Sequence, residues 1–394
     1  MKKYIYLIIG GVVMSTVCCA QRKQIGDART ILKSGKNIEQ AEKLMTDLLK
    51  DSANAENTRI YDIWLQAVEK QYLALNEKMY IKQKVDTAAF FNLAKRMFVV
   101  AEKLDSVDAK PDKNGKVNPE YRKANAAKMA GYRPNIYYGG AYHLKKSDFK
   151  TAFSFFEMYL DCDRQPLFTG YDFMYNDPKM GEVAYWATYC GYRMNDPVLV
   201  LRHAATAQRD EQKLEYTLQY MAEAWQKLED DSMQIATLWQ GFLKFTKSNY
   251  FFPRLMDYYN NRADYVMADS VVNEALKTDS LNELFLYAKS TVMLNLKRYG
   301  DCLKFSEQLI QLNPNLADIY YNGGIACLNI AQRMDSRKYK KQIKKMYEKA
   351  RPYMEKYREM APNDVDKWAP ALYRIYFNLN MGKQFDEIDK ILRG

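Results

Sequence analysis

Large apolar residues recur at three- and four-residue spacing through residues 249–316, and the whole pattern occurs there twice. The blocks 249–282 and 283–316 are each 34 residues long and superimpose without a gap. Matching positions are Phe252 with Leu286, Tyr259 with Met293, Tyr265 with Tyr299, Ala268 with Cys302, and Ser280 with Pro314. Spacing of three and four places the large residues on one face of a helix. The pattern therefore predicts a repeated helical unit.

Each block is predicted to contain two helices. A short polar turn from Asn260 to Asp264 follows the first apolar stripe, and a second helix is predicted from Tyr265. Ala268 is small, which allows two antiparallel helices to approach to about 8–10 Å. Pro314 cannot continue a helix and so predicts the end of the second block. Because one hairpin cannot bury its own apolar face, the blocks are predicted to stack.

Blocks of this length and pattern resemble the tetratricopeptide repeat (TPR). Phrases such as YEKARPYMEKYREMAPND and NLKRYGDCLKFSEQLIQLNP are similar to those of exported TPR proteins of Gram-negative bacteria. The resemblance implies an all-α fold, an α-solenoid in which helical hairpins form a right-handed superhelix. It also implies a protein that binds partners and rarely catalyses, but it fixes no ligand.

The repeat is more regular in the later part of the chain. Residues 21–132 are predicted to form irregular TPR-like helical hairpins. Residues 133–394 are predicted to form a TPR array, with blocks starting near 133, 181, 215, 249, 283, 317 and 365. Two insertions interrupt the period: an aromatic-rich connector from Pro166 to Lys179, and an extension between Cys327 and Ala350. In the first block, Gly139 and Gly140 stand opposite a small residue, as close helix packing requires.

The first twenty residues are predicted to be an export signal. Lys2 and Lys3 precede an apolar run over residues 5–17, which is too short to span about 30 Å of hydrocarbon as a helix. Small residues follow the run, so cleavage after Ala20 is favoured. We therefore expect a mature chain that starts at Gln21 and is located in the periplasm or at the cell surface.

Lipidation is the alternative fate of this segment. Cys18 or Cys19 would then carry the acyl chain, although Ser15 stands where lipoprotein signals have leucine. Beyond this segment the chain has four further cysteines, Cys162, Cys190, Cys302 and Cys327. Their pairing cannot be deduced from the sequence, and the small packed helical positions of Cys302 and Cys327 favour buried thiols there.

The sequence contains no recognisable catalytic set. Its two histidines, His143 and His203, both fall inside predicted helices, so structural roles are expected. The motifs of serine hydrolases, zinc proteases, P-loop proteins and dinucleotide-binding folds are absent. We therefore expect a protein that is not an enzyme and that uses no cofactor or metal.

In TPR proteins the first helices of the hairpins line a concave surface, and the resemblance allows this surface to be mapped onto the chain. The mapped positions are rich in tyrosines and side-chain amides, which suit extended peptides or sugars. The candidate partner-binding residues are Tyr185, Tyr189, Tyr192, Arg193, Tyr216, Gln219, Tyr250, Asn260, Asn261 and Tyr287. The Lys/Asn clamp by which some TPR domains hold a terminal carboxylate is not reproduced.

Tyr185, Tyr189 and Tyr192 are predicted to form the centre of this surface. Their spacing places them along one stripe of a helix whose packing positions are already filled by alanine and threonine. One interpretation is that the tyrosines face a groove and bind the partner. The other is that they pack on the connector as part of the core. The sequence leaves both open.

The positive charge is concentrated in one stretch. The net charge is +11, and residues 337–351 carry eight basic residues against Glu348 alone. The candidate basic patch consists of Arg337, Lys341, Lys344 and Lys345. These side chains are placed to meet an anionic partner, such as phosphate groups or an acidic protein, although a solvated helix face is the simpler alternative. Tyr339 and Tyr347 lie nearby, but no nucleic-acid partner is expected for an exported protein.

Two functions remain open from the sequence. The first is a non-enzymatic interaction scaffold or adaptor of the cell envelope that binds a protein or an extended peptide through the concave surface. The alternative is a glycan- or small-ligand-binding component of an outer-membrane uptake system, in which aromatic rings stack on sugars. Neither function requires a membrane-spanning segment in the mature chain.

Overall fold

The computed structural model describes residues 21–393, and within that range it contains helices and no β-strand. The helices are α1 (residues 21–34), α2 (Ile38–Leu48), α3 (Thr58–Tyr80), α4 (Thr87–Asp108), α5 (Arg122–Lys145), α6 (Phe149–Asp161), α7 (Phe173–Asn176), α8 (Met180–Arg193), α9 (Pro197–Arg202), α10 (Ala204–Ala207), α11 (Leu214–Lys227), α12 (Asp231–Lys244), α13 (Phe251–Asn261), α14 (Tyr265–Thr278), α15 (Glu283–Asn295), α16 (Tyr299–Leu312), α17 (Ala317–Arg333), α18 (Lys340–Met360), α19 (Val365–Asn378) and α20 (Gly382–Arg393). The predicted all-α class is confirmed.

Each long helix packs mainly against the helices next to it in sequence. Strong pairs include α3 with α4, α5 with α6, α15 with α16, and α17 with α18. This succession of hairpins, each covering the apolar face of its neighbour, is the architecture of an α-solenoid, as predicted. The chain divides into two compact units, the first ending at Gln234 and the second beginning at Ile235.

Bulky aromatic rings fill the core of the first unit, and glycine makes room for them. Phe155 and Phe156 of α6 are fully buried against Gly139 and Gly140 of α5. A Cβ atom added to Gly140 would lie 2.4 Å from the ring of Phe156, closer than real contacts allow. The two glycines therefore set the distance between α5 and α6.

The second unit buries three of the five pairs of matching positions, whereas Tyr265 and Tyr299 are half-buried and Ser280 and Pro314 are exposed. Phe252 and Leu286 are buried on the first helices, and Ala268 and Cys302 are fully buried on the second helices. The predicted packing positions are therefore confirmed. Small polar side chains also enter this core, since the hydroxyls of Ser290 and Ser306 lie 2.8 Å apart in a hydrogen bond between α15 and α16. Cys162, Cys190, Cys302 and Cys327 are buried free thiols.

The insertions and the N-terminal part depart from the regular hairpin. The connector contains a 3-10 turn at Pro166–Phe168 and the short helix α7, whereas the extension lengthens α17 and α18. Helix α5 begins at Arg122 and continues through Pro134, so the predicted domain boundary at 132/133 falls inside it. The predicted export signal, residues 1–20, lies outside the described residues. Among residues 21–393, no helix combines the length and apolarity needed to cross a bilayer.

Candidate partner-binding surface

Helix α8 in the first unit carries three of the candidate tyrosines, and they differ in exposure. Its packing face, which includes Ala184, Ala187 and Thr188, is fully buried. Tyr185 is also buried, with 6% of its surface exposed, whereas Tyr189 is half-buried. Tyr192 is half-buried like Tyr189, and Arg193 is exposed, although Cys190 and Gly191 are buried. Tyr189, Tyr192 and Arg193 therefore form the outward-facing side of the C-terminal half of α8.

Tyr220 of α11 joins these tyrosines into one cluster. Its ring stacks on Tyr192 with the centroids 4.3 Å apart, and it also lies 6.3 Å from Tyr185 and 6.0 Å from Tyr189. Trp186 packs edge-on against both Tyr185 and Tyr189. Offset and edge-to-face pairs of this kind are favourable ring geometries. The tyrosines therefore pack on α11, an arrangement that neither sequence interpretation described.

The aromatic connector packs elsewhere. The ring of Phe168 contacts Tyr171 and Phe173, and the last two contact each other. Phe173 covers one face of the Arg133 guanidinium, 3.9 Å from its centroid. The connector thus packs on α5, on itself and, through Phe168 and Phe98, on α4.

Arg193 fixes the outer edge of the cluster. Its guanidinium lies 4.5 Å from the centroid of the Phe149 ring and donates a hydrogen bond of 2.6 Å to the Tyr189 hydroxyl. The Phe149 ring also meets Tyr189 edge-on. Because both partners of the hydrogen bond also pack on Phe149, the Tyr189 ring has little freedom to rotate. These side chains are therefore already ordered in the absence of a partner.

Burial favours the neutral form of three phenols in this cluster. It raises the pKa of Tyr185, Tyr192 and Tyr220 above the ordinary value for tyrosine, and neighbouring phenols add to the shift at Tyr220. Neutral phenols both donate and accept hydrogen bonds. The cluster therefore presents apolar ring edges with uncharged polar tips, which suits a backbone or an amide better than an ion.

Helix α11 extends the surface beyond the cluster. Tyr216 is 49% exposed, and the side-chain amide of Gln219 donates a hydrogen bond to Glu215 at 3.3 Å. We call the tyrosine surface the set formed by Tyr189, Tyr192, Arg193, Tyr216, Gln219 and Tyr220. The structure thus brings five of the candidate residues together around Tyr220, with Tyr185 beneath them.

A cleft of about 650 Å³ opens beside the cluster. Trp186 forms part of its wall, and charged side chains of both signs, including Glu182, Arg209 and Lys213, line the remainder. Since Trp186 also contacts Tyr189, the cleft lies next to the tyrosine surface. The cleft can accept a side chain from a segment that lies across the tyrosines.

Sequence reasoning missed Trp186 and Tyr220. These two residues stand 34 positions apart, at the same place in consecutive blocks. A shared large aromatic residue at one repeat position was the available signal. That signal is weak, because a single repeat position does not reveal which rings meet across two helices.

The candidates in the second unit are distributed over α13 and α15. Tyr250 precedes α13 and lies under the guanidinium of Arg254, 3.6 Å from its ring centroid. Asn260 and Asn261 are exposed at the opposite end of α13, about 15 Å further along the helix axis. Tyr287 is half-buried on α15. These four remain predictions without a shared site.

The candidate basic patch occupies the start of α18 and the loop before it. Arg337, Lys341, Lys344 and Lys345 are all exposed. The aromatic neighbours differ from each other, because Tyr339 is 47% exposed whereas Tyr347 is buried. One ring therefore accompanies the charge, instead of the two that the sequence suggested.

Both histidines are buried and held by their surroundings. The Nδ1 atom of His143 lies 3.0 Å from the Asp148 carboxylate, and its ring stacks on Phe155. His203 packs beside Phe153. Asp148 also caps the N-terminus of α6, so its contact with His143 stabilises the turn between α5 and α6. Within residues 21–393, no group of three or more His, Cys, Asp or Glu side chains is placed to hold a metal ion.

This geometry defines the class as a helical-repeat protein that presents an ordered aromatic surface. Solved structures similar to the chain include TPR proteins. One is the C-terminal part of a TPR repeat-containing protein from Cytophaga hutchinsonii, with 16% identity over 64% of this chain and 93% of that chain and a TM-score of 0.41. The TPR domain of P58(IPK) has 12% identity, coverage of 92% and 99%, and a TM-score of 0.27. The TPR2AB domain of yeast Sti1, in a complex with pHSP90, has 10% identity, coverage of 66% and 99%, and a TM-score of 0.23.

Similarities at this level identify no ligand for the chain. No protein-family model matches the sequence, and no curated protein matches it.

Proposed function

We propose that this protein is a non-enzymatic interaction scaffold of the cell envelope that binds an extended peptide segment of a partner protein through the tyrosine surface. The observation that carries the proposal is the cluster around Tyr220. Its rings are locked by stacking and by the Arg193 hydrogen bond, yet Tyr189 and Tyr192 remain partly open to solvent. A surface that is ordered in advance loses little entropy on binding.

A peptide fits this surface better than a sugar. Stacking on a sugar needs an open ring face, and one face of Tyr192 is covered by Tyr220 at 4.3 Å. A peptide can instead use ring edges, the neutral phenol hydroxyls and the neighbouring cleft beside Trp186. Central tyrosines of this kind commonly contribute about 2 kcal/mol each to a protein interface. A glycan ligand is therefore the alternative outcome of the binding test.

The test begins with peptides selected on the purified protein from a display library. Replacing Tyr189 and Tyr192 together by serine should weaken the selected peptides at least about ten-fold, since each ring is a contact of roughly 2 kcal/mol. Tyr185 is left in place because it is buried. The matched control replaces Tyr80 and Tyr138, which are 88% and 54% exposed and lie outside both the tyrosine surface and the lining of the cleft.

Equal loss of affinity in both variants, or none in either, would refute the assignment of the surface. Binding of an oligosaccharide on a glycan array, lost in the Tyr189/Tyr192 variant alone, would assign the surface to sugars instead. Circular dichroism melting of each variant separates loss of a contact from loss of the fold.

The envelope location is part of the proposal and has its own measurement. The charged start, the short apolar run and the small residues before Gln21 support export. Material recovered from the envelope of an expressing Gram-negative cell should have the intact mass of a chain that starts at Gln21. An acylated Cys18 or Cys19 as the first residue would replace cleavage with lipid anchoring.

A further inference from the structure

The segment from Asp335 to Met346 in the second unit contains no buried residue. It comprises the loop after α17 and the first turns of α18, and the first buried side chain of α18 is Tyr347. From Asp335 to Gln342 every residue is exposed. The segment therefore forms a tip at the end of the long hairpin of α17 and α18, beyond the packed part of that hairpin.

Six basic residues belong to this tip. We call the basic tip the set formed by Arg337, Lys338, Lys340, Lys341, Lys344 and Lys345. The only ion pair that any of them makes with a described residue is weak, with Lys344 Nζ 4.0 Å from the Glu348 carboxylate. The other two basic residues of the stretch are engaged, since Lys349 pairs with Glu307 at 2.7 Å and Arg351 lies 3.9 Å from Glu355. The charge of the basic tip is thus largely uncompensated.

Two lysines, Lys341 and Lys345, lie on the side of α18 opposite its packing face, which carries Tyr347, Ala350 and Met354. At 100° per residue Lys340 and Lys344 lie nearer to that face, and they are exposed because they precede the packed part of the helix. Apolar groups accompany the lysines, because Tyr339 is 47% exposed and Ile343 is only half-buried. Lysines around a tyrosine and an aliphatic side chain are the composition of segments that sit at a membrane–water interface.

We propose that the basic tip docks this protein on the surface of a lipid bilayer that contains anionic headgroups. Charge complementarity carries the proposal. Five of the six basic residues are lysines, which act as strongly hydrated point charges and so respond to the summed charge of a surface. Recognition of particular carboxylates favours the arginine fork, and the tip has a single arginine.

Other anionic macromolecules fit this surface less well. A single-stranded nucleic acid needs several rings on which its bases stack, and burial of Tyr347 leaves Tyr339 alone at the tip. An acidic peptide would need a groove to define its path, whereas the tip is exposed on every residue from Asp335 to Gln342. A bilayer surface is wide, charged and fluid, so binding to it requires neither stacking rings nor a groove.

Vesicle sedimentation with the purified full-length chain tests the proposal. Vesicles of phosphatidylcholine with about one third phosphatidylglycerol should bind the protein, and vesicles of phosphatidylcholine alone should not. Raising the salt concentration from 50 to 500 mM should release it, because the Debye length shrinks severalfold. Changing Lys340, Lys341, Lys344 and Lys345 to glutamine should weaken binding on the order of 100-fold, since each lysine near an anionic surface contributes.

The matched control changes Lys33, Lys36, Lys43 and Lys78 to glutamine, which removes the same charge from exposed lysines of the first unit. This variant should bind anionic vesicles within about three-fold of the unchanged protein, because lysines that do not meet the surface contribute little beyond a Debye length. Equal losses in the two variants would mean that net charge and not the basic tip is responsible. That result would overturn the proposal, as would binding to both kinds of vesicle alike.

Two further measurements complete the test. The melting temperatures of both variants should stay within about 2 °C of the unchanged protein, since the substituted side chains make no buried contact. A large fall for the basic-tip variant would show that the segment is part of the core and would overturn the proposal. Tighter binding of polyglutamate or of a single-stranded oligonucleotide than of anionic vesicles, at equal salt, would also overturn it, because the tip would then fit that polymer.

Discussion

Arg133 is buried in the first unit, and aromatic rings cover both faces of its guanidinium. The centroids of Tyr159 and Phe173 lie 3.6 and 3.9 Å from it. It donates one hydrogen bond to the Asp177 carboxylate at 2.5 Å and others to the backbone oxygen of Tyr159. Asp177 and Phe173 belong to the connector, so a single side chain of α5 fastens the connector to the hairpin of α5 and α6.

The Arg133 contact predicts a large effect of a small substitution. Asp177→Asn should lower the free energy of unfolding by about 3 kcal/mol, because it leaves the buried guanidinium without its counter-charge. Urea denaturation followed by circular dichroism measures the change. Asp172→Asn, at an exposed position of the same connector, should change stability by less than about 0.5 kcal/mol. Equal effects at the two positions would show that the ion pair has no special role.

Glu102 predicts a dependence of stability on pH. Burial, with the nearby Asp161 carboxylate, raises its pKa to about 7. In the unfolded chain the same group titrates near 4.3, so between these values the unfolded state releases a proton that the folded state keeps. The folded state therefore loses stability as pH rises from about 4.3 to 7. Glu102→Gln should remove this loss and stabilise the protein at pH 8 but not at pH 4.

Thermal melting across this pH range checks the Glu102 prediction. Glu77→Gln in α3 is the control, since Glu77 is exposed, and its substitution should leave the pH profile unchanged. A Glu102→Gln profile that runs parallel to that of the unchanged protein would contradict the assignment.

At the scale of helices, α5 contains a matched pair of glycine positions. A Cβ atom at Gly140 would meet the ring of Phe156 at 2.4 Å, whereas nothing lies within 4 Å of one at Gly131. Gly140→Ala should therefore destabilise the protein by about 1–3 kcal/mol through overpacking. Gly131→Ala should stabilise it by about 1 kcal/mol, because alanine is the better helix former. Urea denaturation of the two variants should give changes of opposite sign.

The sequence predicted the helical hairpins well, because the spacing of apolar residues reports which face of a helix is buried. Gly139 and Gly140 do lie at a close helix contact, but the sequence predicted a small residue opposite them, whereas the rings of Phe155 and Phe156 lie there. The contacts of Tyr220 could not be predicted in this way, since they depend on how α8 and α11 are rotated about their axes. The beginning of α5 at Arg122 also escaped the repeat pattern, because the residues before Arg133 do not follow the period.

At the scale of the whole chain, contacts run mainly between consecutive helices, and the two compact units are distinct. A local defect should therefore spread to neighbouring helices and little further. In hydrogen exchange, Gly140→Ala should raise the exchange rates of amides in α5 and α6 on the order of ten-fold. Amides of α15 to α17 should keep their protection. A uniform increase along the chain would indicate that the molecule opens as a single cooperative unit.

The structure also changes the interpretation of the charge distribution. The stretch 337–351 stood out in the sequence as the concentration of positive charge. In the structure, the largely uncompensated positive charge is confined to the basic tip. Lys349 and Arg351 lie beside the carboxylates of Glu307 and Glu355. The sequence shows which residues are charged but not which carboxylates lie beside them. A basic cluster could therefore be predicted, but the part of it that lacks a neighbouring carboxylate could not.

The four buried thiols have a consequence for how the chain matures. Burial raises the pKa of Cys162 and Cys190 to about 12 and that of Cys327 to about 11, so in the native protein they are protonated as well as inaccessible. An unfolded chain has neither protection. In an oxidising compartment, folding of the chain then competes with oxidation of its thiols. The mostly local contacts of the hairpins favour folding, because such contacts form quickly.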